Sequence, residues 1–153
     1  MNSYDMMENN SVKLPKPTQP KGNYNMITSF GGKYIYTAGT GCSKDGKPLY
    51  VGLLGGNITI EEGKIAAEQC AKNLLANVEQ NIGSLNKISR LIKMTVFIAA
   101  TSDFKQQSMV GDGASDFFRK VFGLNNVGVR SAIGVSSLPN GQVVEIEAIF
   151  ELK

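Results

Sequence analysis

The sequence predicts an α+β domain, a mixed sheet with two helices packed on one of its faces. Three observations carry this. Segments rich in aromatic and β-branched residues recur at 27–30, 34–38, 88–99 and in two C-terminal arms. Two stretches with helical spacing and helix-start signals lie between them. The resulting order, ββ-α-β-α-ββ, suits helices gathered on one side of a sheet. At 153 residues the chain fits one domain, residues 1–153, with a core that needs no staples.

Residues 1–21 are polar and contain Pro15, Pro17 and Pro20, so they read as an extended arm. Gly22-Asn23-Tyr24 breaks the chain before the first strand. Residues 27–30 and 34–38 form a hairpin around Gly31-Gly32. Gly39-Thr40-Gly41 follows, either as punctuation or as a place where another group approaches the backbone. Lys44-Asp45-Gly46-Lys47 is a turn. Gly55-Gly56 lacks the Lys-Ser/Thr that a phosphate loop requires.

Thr59 and Glu62 make a capping box, and the helix after them carries Ala67, Cys70, Ala71, Leu74, Val78 and Ile82 on one stripe. Gly83 ends it. In the strand at 88–99, Ile92, Met94, Val96 and Ile98 form an apolar face. Leu91, Lys93, Thr95 and Phe97 form a mixed one, which a second subunit would cover. Ser102-Asp103 is expected to cap a second helix that Gly111-Asp112-Gly113 interrupts, with Asp112 capping 114–122 afresh and Gly123 ending it.

The C-terminal arms flank Pro139-Asn140-Gly141, a type I′ signal, and are read as a hairpin. In the second arm Val144, Ile146, Ala148, Phe150 and Leu152 share one face; Glu145, Glu147 and Glu151 lie on the other. Hairpin register sets Arg130 opposite Glu151 and places Arg130, Glu145 and Glu147 on one face. One reading is a cross-strand Arg130–Glu151 ion pair worth about 0.2–1 kcal/mol. The other is a carboxylate-binding arginine sharing a cleft with Glu145, an acid able to hold and activate water.

Composition narrows the chemistry. There is no histidine, so no imidazole base and no His-ligated metal. Cys42 and Cys70 lack metal-site spacing and read as reduced thiols. The charge of +3 is spread along the sequence without a basic block, so no nucleic-acid partner is expected. No stretch reads as a signal peptide or a membrane span, and the expected compartment is the cytoplasm.

Arg130-Ser131-Ala132, Leu138-Pro139 and Val144-Glu145-Ile146-Glu147-Ala148-Ile149 resemble the C-terminal signature of the RidA family, also called YjgF or reactive-intermediate deaminases. Upstream, 47–52, Glu61-Glu62-Gly63, Cys70, Asn73-Leu74 and Gly113-Ala114-Ser115-Asp116 are similar to its longer, chorismate-mutase-like branch. The resemblance implies a chorismate-mutase-like fold and a homotrimeric barrel, with clefts for small carboxylates between subunits. It implies hydrolysis of enamines and imines such as 2-aminoacrylate to keto acids and ammonia, without metal or organic cofactor. By this resemblance Arg130 binds the substrate carboxylate and Glu145 holds the attacking water. Tyr24 and Gly39 match site positions, with Asn23 in place of a proline and Ala38 and Thr40 as altered neighbours of Gly39. Ala132 stands where deaminases often have cysteine. Glu147 is assigned to structure or to the subunit interface. A trimeric, non-catalytic binder of small carboxylates that regulates a partner is the alternative; endoribonuclease and chorismate mutase activities fit less well.

Overall fold

The strand that organises the sheet is the last one. In the computed structural model, which describes all 153 residues, β8 (Val144–Leu152) lies in the middle of the sheet. On one side it pairs antiparallel with β2 (Tyr34–Thr37) and β3 (Thr40–Gly41), and on the other with β6 (Ile88–Ala99). β1 (Ile27–Phe30) extends the sheet beyond β2 as the predicted hairpin. β7 (Val127–Val135) extends it beyond β6, in parallel. β4 (Ser43–Lys44) and β5 (Lys47–Pro48) form a small separate hairpin at the predicted 44–47 turn.

Alternation in β8 works as expected: Val144, Ile146, Ala148 and Phe150 are buried beneath α2 (Ile60–Ile82) and α3 (Gln107–Phe122). Phe150 meets Phe118 and Phe122 of α3 edge-on at 6.0 and 6.1 Å. The Thr59–Glu62 capping box opens α2, and Gly83 closes it in the left-handed region. No helix is long and apolar enough to cross a membrane.

The C-terminal arms, however, do not form a hairpin. β6 lies between them, with Val96 flanked by Ala132 on β7 and Ile146 on β8. The turn itself has the predicted geometry, with φ of 60° at Asn140 and 70° at Gly141. What it cannot dictate is which strand each arm joins. The crossover from β6 through α3 lays β7 along one edge of β6, and the turn carries the chain across to the other. The Arg130–Glu151 pair is therefore absent: Glu151 binds Lys33 at 2.7 Å and Arg90 at 2.6 Å.

Three local expectations are also corrected. Residues 1–21 are not wholly extended, because α1 (Ser3–Asn9) forms on a capping box between Asn2 and Asp5. It docks through Tyr4, whose hydroxyl donates to Glu79 at 2.6 Å and accepts from the Leu85 amide. Next, α3 is one uninterrupted helix without a cap at Ser102-Asp103. A Cβ at Gly113 would collide with the Lys64 carbonyl, so that glycine lets α2 and α3 approach rather than breaking the helix. In β6 a register shift between Leu91 and Lys93 buries Leu91 in place of Ile92, while Met94, Val96 and Ile98 face the core as predicted.

Candidate functional site

Glu145 sits in the centre of the sheet, with Gly41 of β3 on one side and Phe97 of β6 on the other. Its row on the sheet is the one facing away from the helices. The neighbouring positions give its carboxylate no hydrogen-bond donor, and burial raises its proton affinity above the usual carboxylate range, with the like charge of Glu147 adding to it. Glu147 is better served, accepting from the Tyr36 hydroxyl at 3.2 Å. That contact gives Glu147 a structural partner within the chain.

The Glu145 carboxylate opens on a cavity of about 280 Å³ that Tyr24, Gly39 and Gln142 also line. Tyr24 is about half exposed, and its hydroxyl accepts from the Lys21 amide at 3.2 Å. Gly39 backs directly onto the acid: a Cβ there would lie 2.9 Å from Glu145 Cδ. The close approach that Gly39-Thr40-Gly41 signalled is thus an approach to Glu145. Such an acid can hold a water molecule and accept its proton.

Arg130 lies elsewhere. Its row runs through Met94 and Ala148, both buried, so it faces the helix layer, whereas Glu145 and Glu147 face the opposite side. The expected common face came from the hairpin register and fails with it. Within the chain the guanidinium is held against α3: Nη1 donates to Asp112 Oδ1 and Ser115 Oγ, each at 2.9 Å, and Nη2 to the Ser108 carbonyl at 3.0 Å and to its Oγ at 2.8 Å. Ala132, two residues after Arg130, lies on the same face of the sheet and packs beside the core. A single chain therefore brings Tyr24, Gly39 and Glu145 together and leaves Arg130 and Ala132 apart from them.

The sequence reading passed over several residues of this region. Gln142 is buried, lines the Glu145 cavity, and accepts from the Cys42 amide at 3.1 Å. Assigning it to a simple hairpin hid this role. Asp112, read as a helix cap, is instead the ion partner of Arg130. Asn73 of α2 is 2% exposed and donates to the carbonyls of Gly41 and Ser43 at 2.9 and 2.8 Å, which fixes β3 beside Glu145. Cys42 and Cys70 are free and buried, as expected of reduced thiols. The neighbouring Cys70 thiol lowers the Cys42 pKa to about 6, while burial pushes that of Cys70 up; the Cys70 thiol donates to the Val144 carbonyl at 3.2 Å. No three side chains of the cysteine, aspartate or glutamate type gather as a metal site.

Residues 6–146 match the family described as "YjgF/chorismate_mutase-like, putative endoribonuclease". Protein TCP17 of Trypanosoma cruzi is 35% identical over 143 residues, which cover 92% of this chain and 88% of that protein. The crystal structure of Atu1372 from Agrobacterium tumefaciens, a protein described as of unknown function, superposes with a TM-score of 0.89 at 34% identity. The match covers 99% of this chain and 92% of that one. A 2-iminobutanoate/2-iminopropanoate deaminase of Dermatophagoides farinae is 26% identical over 142 residues, 93% of this chain and 95% of that protein.

Proposed function

Because the chain belongs to the YjgF/chorismate mutase-like family, we propose that it hydrolyses small enamines and imines bearing a carboxylate, releasing a keto acid and ammonia. The observation that carries this reading is the Glu145 carboxylate, half-buried, raised in proton affinity and open to a cavity beside Tyr24 and Gly39. The mite deaminase supports the substrate class.

An enamine such as 2-aminoacrylate first takes a proton at carbon to become an iminium. That carbon is already electrophilic, so the protein's task is to deliver water. Glu145 accepts a proton from the water as its oxygen bonds to the carbon, and the resulting carbinolamine expels ammonia as the C–N bond breaks and C=O forms. The raised proton affinity suits a base that must later return the proton. Tyr24 and Gly39 shape the pocket. Arg130 binds the substrate carboxylate through its planar fork in exchange for its contact with Asp112, with Ala132 beside it. Arg130 and Glu145 of one chain lie on opposite faces of the sheet, so in this proposal a neighbouring copy in a homotrimer supplies Arg130 to the Glu145 pocket.

The test is release of ammonia and keto acid from enzymatically generated 2-iminopropanoate. Wild type should exceed the buffer rate, and Glu145→Gln and Arg130→Ala should fall toward it. Equal rates in all three would end the proposal.

A second reading is a non-catalytic binder of small carboxylates, in which the ligand takes the place of the Asp112 carboxylate on Arg130. The terminal nitrogens of Arg130 already make four hydrogen bonds within the chain, which hold the guanidinium still. Saturable carboxylate binding that Arg130→Ala abolishes, with no turnover, would select this reading.

A further inference from the structure

A cavity larger than the one beside Glu145 lies next to it. It is a groove of about 790 Å³ between the proline-rich arm, the turn joining β4 to β5, and α2. Lys13, Lys16 and Lys21 come from the arm, Lys44 from the end of β4 and Lys72 from α2. In the sequence these lysines are scattered over 13–72, which is why no basic block is visible there. Folding gathers them around one space. Against five lysines the lining sets one acidic residue, Asp45, and Lys72 is also paired with Glu68 at 3.0 Å. The five lysines less these two acids leave +3, equal to the formal charge of the whole chain.

The groove is held open by its own framework. Pro15, Pro17 and Pro20 restrict the arm, and Thr18 anchors it to α2: its amide donates to Asn77 Oδ1 at 2.7 Å, and Asn77 Nδ2 donates to its hydroxyl at 2.8 Å. The cost of ordering the arm is thus met in folding rather than in binding. The wall includes Gln69, 8% exposed. Its Nε2 donates to Asn73 at 2.9 Å, and no buried polar side-chain atom is left without a partner, so the rest of the amide opens on the groove.

We infer that this groove binds a small oligophosphate, an anion carrying several linked phosphoryl groups. Lysine ammonium groups spread over three elements match a chain of phosphates as point charges. The volume is that of a small-molecule site. No aromatic side chain lines it, so it lacks the stacking platform that single-stranded nucleic acid binders use. Its apolar surface comes from Leu14, the prolines of the arm and the stems of the lysines, with no aromatic ring among them. The phosphates themselves are what the groove can recognise. The groove adjoins the Glu145 cavity, with Thr18, Gln19, Lys21 and Ser43 lining both, but the inference does not rest on the chemistry proposed at Glu145.

The experiment is calorimetric titration of the full chain with inorganic tripolyphosphate. Binding should saturate, exceed that of orthophosphate, and weaken as salt rises from about 50 to 150 mM. The double substitution Lys16→Glu/Lys44→Glu should weaken it by about tenfold or more, the loss expected for charge-assisted contacts. Lys105→Glu/Lys120→Glu, with the same change in net charge outside the groove, should leave it within about twofold of wild type. Circular dichroism checks that both variants fold. Absence of saturable binding at low salt would overturn the inference, as would equal weakening by the two double variants. Tighter binding of a short single-stranded RNA than of tripolyphosphate would overturn it too, because the surface would then serve a nucleic acid.

Discussion

Replacing Gly39 with alanine places one methyl group against the acid proposed to hold water. The added Cβ would lie 2.9 Å from Glu145 Cδ, 3.0 Å from Oε1 and 3.3 Å from Oε2. Carbon atoms rest at about 3.5–4.0 Å, so the carboxyl must retreat by about 0.6 Å or more. The backbone accepts the change, because Gly39 is outside the left-handed region. An off-rotamer glutamate costs about 0.5–1.5 kcal/mol. The reduced freedom of the unfolded chain returns about 0.4–1 kcal/mol. Net destabilisation should stay below about 1 kcal/mol, a Tm change within about 4 °C for a chain of this size. Catalysis is less forgiving, since displacing a reacting group by about 1 Å can cost about a hundredfold. The expected result is a kcat/KM for 2-iminopropanoate lowered about ten- to a hundredfold with Tm nearly unchanged. Full activity at an unchanged Tm would refute the placement of water at Glu145. A collapse in Tm of more than about 10 °C would refute the claim that only the side chain must give way.

Three other outcomes follow from the same contacts. Glu145 has its proton affinity raised in the folded chain, so its ionisation opposes folding; that penalty is absent at low pH and develops as pH rises through the shifted value. Glu145→Gln should therefore melt above wild type near pH 8, and the advantage should vanish below about pH 4.3; a pH-independent difference would contradict the sign. Asp112→Ala removes a carboxylate whose side chain is 52% exposed, so stability should fall by less than about 1 kcal/mol. Releasing Arg130 from it should tighten pyruvate about two- to fivefold by calorimetry, and unchanged affinity would count against Arg130 as the carboxylate site. Asn73→Ala strips the Gly41 and Ser43 carbonyls of their donor and should cost about 2–4 kcal/mol, read as a Tm drop on the order of 5–15 °C.

What could be read from the sequence was local. The Thr59–Glu62 capping box, the β1–β2 hairpin and the alternation of β8 each depend on residues close together in the chain, and each stands in the structure. Arg130 and Glu145 could be singled out because charge is unusual in apolar strands. Their relation could not, because it depends on β6, whose insertion between the two arms leaves no mark near Asn140-Gly141. Gly113 misled for the same reason: the atom that demands a glycine there belongs to Lys64, far back in the sequence. The lysine groove was invisible because its cations are distant until the arm crosses α2.

The central place of β8 also bears on how the chain is made. Its partners β2, β3 and β6 all precede it, and β2 and β6 gain a shared neighbour only through it. During synthesis those strands emerge with unpaired edges and wait for the residues beyond Gly141. Such edges template pairing with other chains. A ribosome that stalled or terminated before Val144 would release a product that has most of the apolar core residues but cannot close its sheet, and aggregation or capture by chaperones is the expected fate. The burden falls on translation: the nascent chain needs its longest protection just before its sheet can be completed.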